Sequence, residues 1–257
     1  MILTIDIGNT NTVFGFFAEG TLINSSRFST DNNITIDELS IKVSNILNFC
    51  EIDKKSITAV IVANVVPSLN RSYVGLINNL FRCKSYFVKD FLSELPIKIS
   101  YKNVNELGDD RVANSIAGYC NYDQDLIIID FGTAITFDVL SRKNGYVGGV
   151  ILPGVNLAIE YLSNETAKLP EVAFEKTIEV IGKNTTHAIE SGLFHGYLSM
   201  LEGMVKKIVR ELNTKNYKII ATGGMGKIFA DSSDIIDTYN ADLTLKGLYI
   251  LYNHITS

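Results

Sequence analysis

The sequence predicts an α/β protein made of two similar halves, each a mixed sheet that opens with a three-stranded antiparallel meander and is flanked by helices. Short apolar runs of strand length alternate with stretches of helical spacing, the signature of sheet and helix layers packed together. A pattern of acid, glycine and hydroxyl between two apolar runs occurs at Asp6 and again at Asp130, an offset of 124 residues in a chain of 257. A repeat at nearly half the chain length indicates internal duplication. With 46% hydrophobic and 20% charged residues, 19 Gly and only 4 Pro, the composition is that of a folded domain and excludes extended disorder.

The elements follow in order. Residues 2–5 and 13–17 are apolar runs on either side of Asp6-Ile7-Gly8-Asn9-Thr10, and a Glu19-Gly20 turn leads to a third strand near 22–28. Residues 35–48 carry Ile36, Leu39, Val43, Ile46 and Leu47 at helical spacing; a buried strand at 59–63 and a helix near 69–80 come next. The second half repeats the opening with 126–129, Asp130-Phe131-Gly132-Thr133, 134–140, a Lys143-Asn144-Gly145 turn and a strand through 146–151. Residues 157–162, 185–211 and the region flanking 231–234 read as helix or loop, 218–221 as a strand and 243–254 as a closing helix. Pro67, Pro96, Pro153 and Pro170 are expected between elements, where a missing amide donor does least harm. No low-complexity linker is present, so the halves, 1–118 and 119–257, are expected to join through a helix near 112–125.

Charge and cysteine usage exclude several classes. There are 23 Lys and Arg against 28 Asp and Glu, a net charge of −5, and the basic residues are scattered, so nucleic acid is not expected as a partner. Cys50, Cys83 and Cys120 are odd in number, widely spaced and outside any metal motif, which reads as reduced thiols of a cytoplasmic protein. Met1-Ile2-Leu3-Thr4-Ile5-Asp6 lacks a basic segment and meets an acid early, so it reads as a strand rather than a signal peptide. The apolar runs are far shorter than the ~20 residues of a membrane helix, and no membrane association is expected.

Asp6-Ile7-Gly8-Asn9-Thr10-Asn11-Thr12 places an acid, a bending glycine and hydroxyl or amide side chains together. Backbone amides near a glycine can approach phosphate oxygens, Thr10 and Thr12 can add donors, and Asp6 can hold Mg2+ directly or through water. The same residues also suit a plain tight hairpin. The second copy, Asp130-Phe131-Gly132-Thr133-Ala134-Ile135-Thr136, tilts the reading toward two polar tips that grip a nucleotide triphosphate. A glycine cluster, Ala221-Thr222-Gly223-Gly224-Met225-Gly226, follows the 218–221 strand and suits either backbone approach to an anion or a turn.

In Gly108-Asp109-Asp110-Arg111, either acid could cap the following helix, and an acid beside an arginine could accept a hydroxyl proton during phosphoryl transfer. Gly182-Lys183-Asn184-Thr185-Thr186 lacks the upstream glycine of a Walker loop and reads as a helix start whose amides favour an anion. His187 and His195 have no companion ligands in the sequence and read as packed or surface residues, and no Gly-x-Ser-x-Gly elbow is present.

Taken together, these motifs resemble the acetate and sugar kinase, Hsp70 and actin superfamily, whose halves are RNase H-like, and within it the type III pantothenate kinases. The pieces run along the chain: Asp6-Ile7-Gly8-Asn9-Thr10, Asn64-Val65-Val66-Pro67, Gly108-Asp109-Asp110-Arg111, Asp130-Phe131-Gly132-Thr133-Ala134, Gly148-Gly149-Val150-Ile151-Leu152-Pro153-Gly154, Thr166-Ala167-Lys168-Leu169-Pro170 and Gly182-Lys183-Asn184-Thr185. The resemblance implies ATP-dependent phosphorylation of pantothenate to 4'-phosphopantothenate, the first step toward coenzyme A, in the cytoplasm. It implies that Asp110 is the general base and that Gly108, Asp109, Arg111, Tyr101 and Thr185 contact pantothenate. It further implies ATP binding by Asp6, Ile7, Gly8, Asn9, Thr10, Asn11, Thr12, Val13 and Thr133, with Mg2+ accompanying the nucleotide. Asp130 would hold a monovalent cation, K+ or NH4+, and the second half would supply a homodimer interface. Two other readings share the fold: a non-catalytic regulator of the Bvg accessory factor type, and a phosphohydrolase of the superfamily. Retention of Asp6, Asp110 and Asp130 favours catalysis over the regulator.

Overall fold

The computed structural model describes residues 1–164, 170 and 172–257, and folds into two compact units, one of Met1–Asn121 with Asp242–Ser257 and the other of Tyr122–Ala241. The first unit opens with β1 (Ile2–Ile7), β2 (Asn11–Ala18) and β3 (Thr21–Ser29), then α1 (Ile36–Phe49), β4 (Ala59–Asn64), α2 (Asn70–Leu76), β5 (Lys84–Phe87) and α3 (Asp109–Asn121). Its sheet order is β3-β2-β1-β4-β5, antiparallel through the meander and parallel from β1 onward. Helix α1 starts at a reciprocal capping box in which Thr35 and Glu38 satisfy each other's backbone amides. It buries Leu39, Val43 and Leu47 against Leu3, Ile5, Phe14 and Phe16 on one face of the sheet, together with Tyr73 and Leu76 of α2. Each such side chain contributes about 1.5–3 kcal/mol by leaving water.

The second unit repeats this plan with β6 (Asp125–Phe131), β7 (Ala134–Ser141), β8 (Gly145–Pro153), α4 (Val155–Asn164), α5 (Thr185–Leu212), β9 (Tyr217–Thr222), α6 (Gly226–Ala230) and β10 (Thr238–Tyr239). The order β10-β9-β6-β7-β8 is the same topology, and even the β-bulge recurs, between Phe16 and Phe17 in one meander and between Val139 and Leu140 in the other. The expected pair of similar mixed sheets is therefore present. Helix α5 starts where Asn184 accepts the His187 amide and ends at Asn213, whose φ of 50° is left-handed. It packs Leu193, Leu201 and Val205 over Ile127, Ile129 and Phe137.

The last helix, α7 (Leu243–Thr256), departs from the expected division at 118/119. It belongs to the first unit, where Tyr249 stacks on Phe17 with centroids 4.4 Å apart and Thr244 donates to Asn114 of α3 at 2.8 Å. With Leu243, Leu245, Leu248 and Leu251 buried, it packs on α3, β1 and β4 of that unit. Pro153 also differs from expectation: it is the last residue of β8, paired with Ala134, which an edge strand tolerates because no further neighbour needs its amide. Among the described residues, no helix is long and apolar enough to cross a membrane.

Candidate active site

The first tip closes where the Gly8 amide donates to Asn11 O at 3.0 Å, between the last strand pair, Ile7 with Thr12. Asn9 and Thr10 are exposed at its end. Behind them, Thr30 donates its amide to Thr10 O at 2.9 Å and its hydroxyl to Gly8 O at 2.7 Å. Thr12 is fully buried, with its hydroxyl 3.0 Å from that of Thr30 and 3.3 Å from the Tyr73 hydroxyl. Its side chain thus braces the tip from within, while Asn9 and Thr10 lie exposed at the end. Burial pushes the Tyr73 phenol up to about 12, so it remains a donor throughout the working pH range.

The second tip is one residue shorter, because Phe131 pairs with Ile135. Gly132 donates to Ala134 O and Gly154 donates to Thr133 O, both at 3.1 Å. Gly154 lies so close that a Cβ there would collide with the Thr133 and Gly132 carbonyls. Tyr197 of α5 reaches the Pro153 and Gly154 carbonyls at 3.2 and 3.3 Å. Thr133 itself is exposed. Asp130 pairs across the sheet with Thr136 and Thr222, which puts all three side chains on one face. The Thr136 hydroxyl is buried and receives no hydrogen bond, a vacancy of bonding that an oxygen-coordinated cation would fill. Gly223, at φ +84°, makes room for the acid: a Cβ there would come 2.5 Å from Asp130 Oδ1.

The acid pair at the start of α3 separates into two environments. Asp109 is 2% exposed; its Oδ2 accepts the Asn64 amide at 3.0 Å, which ties α3 to the end of β4, and its Oδ1 receives no hydrogen bond. Burial raises its pKa to about 6, against the pull of the Asn64 amide. It also lines a cavity of about 300 Å3 with Asn64, Asn70 and Lys89, at the carboxyl ends of β4 and β5. Of the expected pantothenate residues, Asp109 alone appears in that lining. Asp110 is half-buried, accepts the Arg111 amide at 2.8 Å and sits over Gly108, where a Cβ would meet Asp110 Oδ1 at 2.5 Å. Burial raises its pKa too, opposed by the Arg111 amide and by the charge of the buried Arg111 guanidinium. A carboxylate so desolvated is a stronger proton acceptor than a surface aspartate.

Tyr101 is 38% exposed in the segment before α3, and Thr185 is the exposed first residue of α5. Asn184, not Thr185, provides that helix's side-chain cap. Thr166, Ala167, Lys168 and Leu169 lie outside the described residues. Among the described residues, no group of three or more His, Cys, Asp or Glu side chains could cage a metal. A divalent ion that arrives with nucleotide phosphates needs only one or two protein acids, and Asp6 is an acid that could serve. Sequence reading missed Thr30 and Tyr73, and it quoted Asn64, Thr136 and Thr222 within motifs without giving them roles of their own. The repeat itself carried a signal for one of them, since the 124-residue offset sets Thr30 opposite Gly154.

Residues 2–207 match the family model described as type III pantothenate kinase. A type III pantothenate kinase of Persephonella marina is 42% identical over 99% of both chains. Among solved structures, a Campylobacter jejuni protein attributed to the Baf family of transcriptional activators aligns over 99% of this chain and 100% of its own, with a TM-score of 0.62 and 21% identity. A Sinorhizobium meliloti protein attributed to the 2-dehydro-3-deoxygalactonokinases aligns over 99% and 97%, with a TM-score of 0.58 and 10% identity. These last two likenesses establish the fold, two RNase H-like halves of the actin and sugar kinase type. The full-length match and the family model together make the chain a member of the type III pantothenate kinase family.

Proposed function

We propose that the protein transfers the γ-phosphoryl group of ATP to the primary hydroxyl of pantothenate, giving 4'-phosphopantothenate and ADP in the first step of coenzyme A biosynthesis. The observation that carries the chemistry is Asp110, a desolvated carboxylate at the first turn of α3 with Arg111 beside it. Asp110 takes the hydroxyl proton as the new oxygen–phosphorus bond forms and the bond to the β-phosphate oxygen breaks. Such a transition state is loose, so Asp110 orients the acceptor as much as it deprotonates it. Gly108, Asp109, Arg111, Tyr101 and Thr185 frame pantothenate in this reading. In it the side chain of Asp109 works through Asn64.

ATP is taken by residues 6–13 and by Thr133, whose exposed tips offer backbone donors. Asp6 holds Mg2+ through water. Asp130, with Thr136 and Thr222 on the same face, holds K+ or NH4+; a bound cation there supplies fixed positive charge for the phosphates. A homodimer through the second unit is supported by the large apolar side chains exposed on it, among them Ile151, Leu157, Tyr161, Ile178, Val180 and Ile181. The cytoplasm, where ATP and reduced thiols occur together, is the compartment that fits.

ADP release with Mg-ATP and K+, with and without pantothenate, tests the reaction, with the product identified by mass spectrometry. Pantothenate-dependent release is expected. Release without an acceptor would replace the kinase by a phosphohydrolase, and no release from folded protein would favour a regulator. Asp110→Asn should keep ATP binding and lose transfer by about 10²-fold or more.

A further inference from the structure

The hydroxyls behind the first tip form a relay whose direction is fixed by chemistry. Tyr73, 1% exposed on α2, reaches Thr12 Oγ1 at 3.3 Å; Thr12 reaches Thr30 at 3.0 Å; Thr30 reaches Gly8 O at 2.7 Å. A carbonyl only accepts, so the single Thr30 hydroxyl proton goes to Gly8 O. The Thr30 oxygen must then accept from Thr12, and Thr12 in turn accepts from Tyr73. The relay therefore runs one way, from the phenol to the peptide between Gly8 and Asn9.

That peptide is trans and planar, so its carbonyl and its N–H point in opposite directions. Drawing Gly8 O inward to Thr30 turns the Asn9 N–H outward, at a residue that is exposed on the tip. We propose that Tyr73 is a positioning residue for nucleotide binding: through Thr12 and Thr30 it fixes the Asn9 amide as a donor to a phosphate oxygen. The inference rests on the reading that residues 6–13 receive ATP. In the second tip Gly154 stands where Thr30 stands in the first and offers no hydroxyl.

The test is Mg-ATP binding by isothermal titration calorimetry, with steady-state KM values, for the wild type, Tyr73→Phe, Thr30→Val, Thr30→Ser and Thr4→Val. Thr4 is a control: its buried hydroxyl donates to Gly15 O at 3.2 Å in the same sheet, away from the tip. Loss of one relay bond should weaken ATP binding about fivefold in Tyr73→Phe and raise the KM for ATP alike, with the KM for pantothenate unmoved. Thr30→Val should weaken it further, and Thr30→Ser, which keeps the proton, should bind ATP more tightly than Thr30→Val. Thr4→Val should lower Tm without changing ATP affinity. Wild-type affinity in Tyr73→Phe, or an equal loss in Thr4→Val, would overturn the relay. Failure of folded wild-type protein to bind Mg-ATP would overturn the nucleotide reading and the relay with it.

Discussion

Asp6 and Asp130 occupy the same place in two copies of one sheet, yet their neighbours differ. Across the strands Asp6 faces Val13 and Ala63, whereas Asp130 faces Thr136 and Thr222. The shorter second tip is one cause, because it shifts the register of β7 by one residue and brings Thr136 to the position held by Val13 in the first half. The bracing differs as well: hydroxyls of Thr12, Thr30 and Tyr73 hold the first tip, while the second has close backbone approach at Gly154 and Gly223 and the Tyr197 hydroxyl on the Pro153 and Gly154 carbonyls. The two halves thus share a backbone plan while a one-residue change in loop length alters the neighbours of the acid. An acid among apolar side chains suits a hydrated divalent ion that arrives with the nucleotide; an acid ringed by hydroxyls suits a dehydrated monovalent ion that needs several oxygen ligands.

The largest effect should come from removing the first acid. Asp6→Asn is expected to lower kcat/KM by about 10²–10³ at saturating Mg2+, as removal of one charge-stabilising group typically does, while the response to K+ persists. If the Asp6 variant loses its K+ response instead, the assignment of the two acids is reversed.

Asp109 calibrates what an acid costs in the first unit when no cation is assigned to it. Its folded pKa of about 6 lies above the unfolded value, so its contribution to stability is complete below about pH 4 and lost as pH rises through about 6, a change of ~3 kcal/mol. Asp109→Asn keeps an acceptor for the Asn64 amide and cannot ionise. Urea unfolding from pH 4 to 7.5 should show a shallower loss of stability in the variant, and identical slopes would remove Asp109 as the cause.

The bracing contrast predicts smaller effects. Gly154→Ala forces a Cβ against backbone carbonyls that cannot move aside and should cost about 2 kcal/mol or more, the range of overpacking. Thr30→Ala removes hydrogen bonds without a clash and should cost about 1 kcal/mol. Chemical denaturation that ranks the two the other way would break the contrast.

Much of this was legible in sequence. The alternation of apolar runs, the Asp-x-Gly tips and the 124-residue offset gave both meanders, and Asn184 announced the start of α5. What was not legible depends on distance across the fold. Nothing local to Thr12 reveals that Tyr73, 61 residues away, donates to its hydroxyl. That Asp109 accepts the Asn64 amide could not be read locally, because this contact is set by how α3 meets the end of β4. Thr136 stands in the second motif, but its place across from Asp130 was hidden because the motifs align at one offset while the strands pair at another. The closing helix was assigned by its position in the chain, whereas the surface it covers decides where it belongs.

The most direct test of the division between the two acids is Mg-ATP binding measured in K+ and in Na+ for wild type and Asp130→Asn. The account predicts tighter binding in K+ for the wild type, and equal, weaker binding in both salts for the variant. A variant that still distinguishes K+ from Na+, or a wild type that does not, would contradict it.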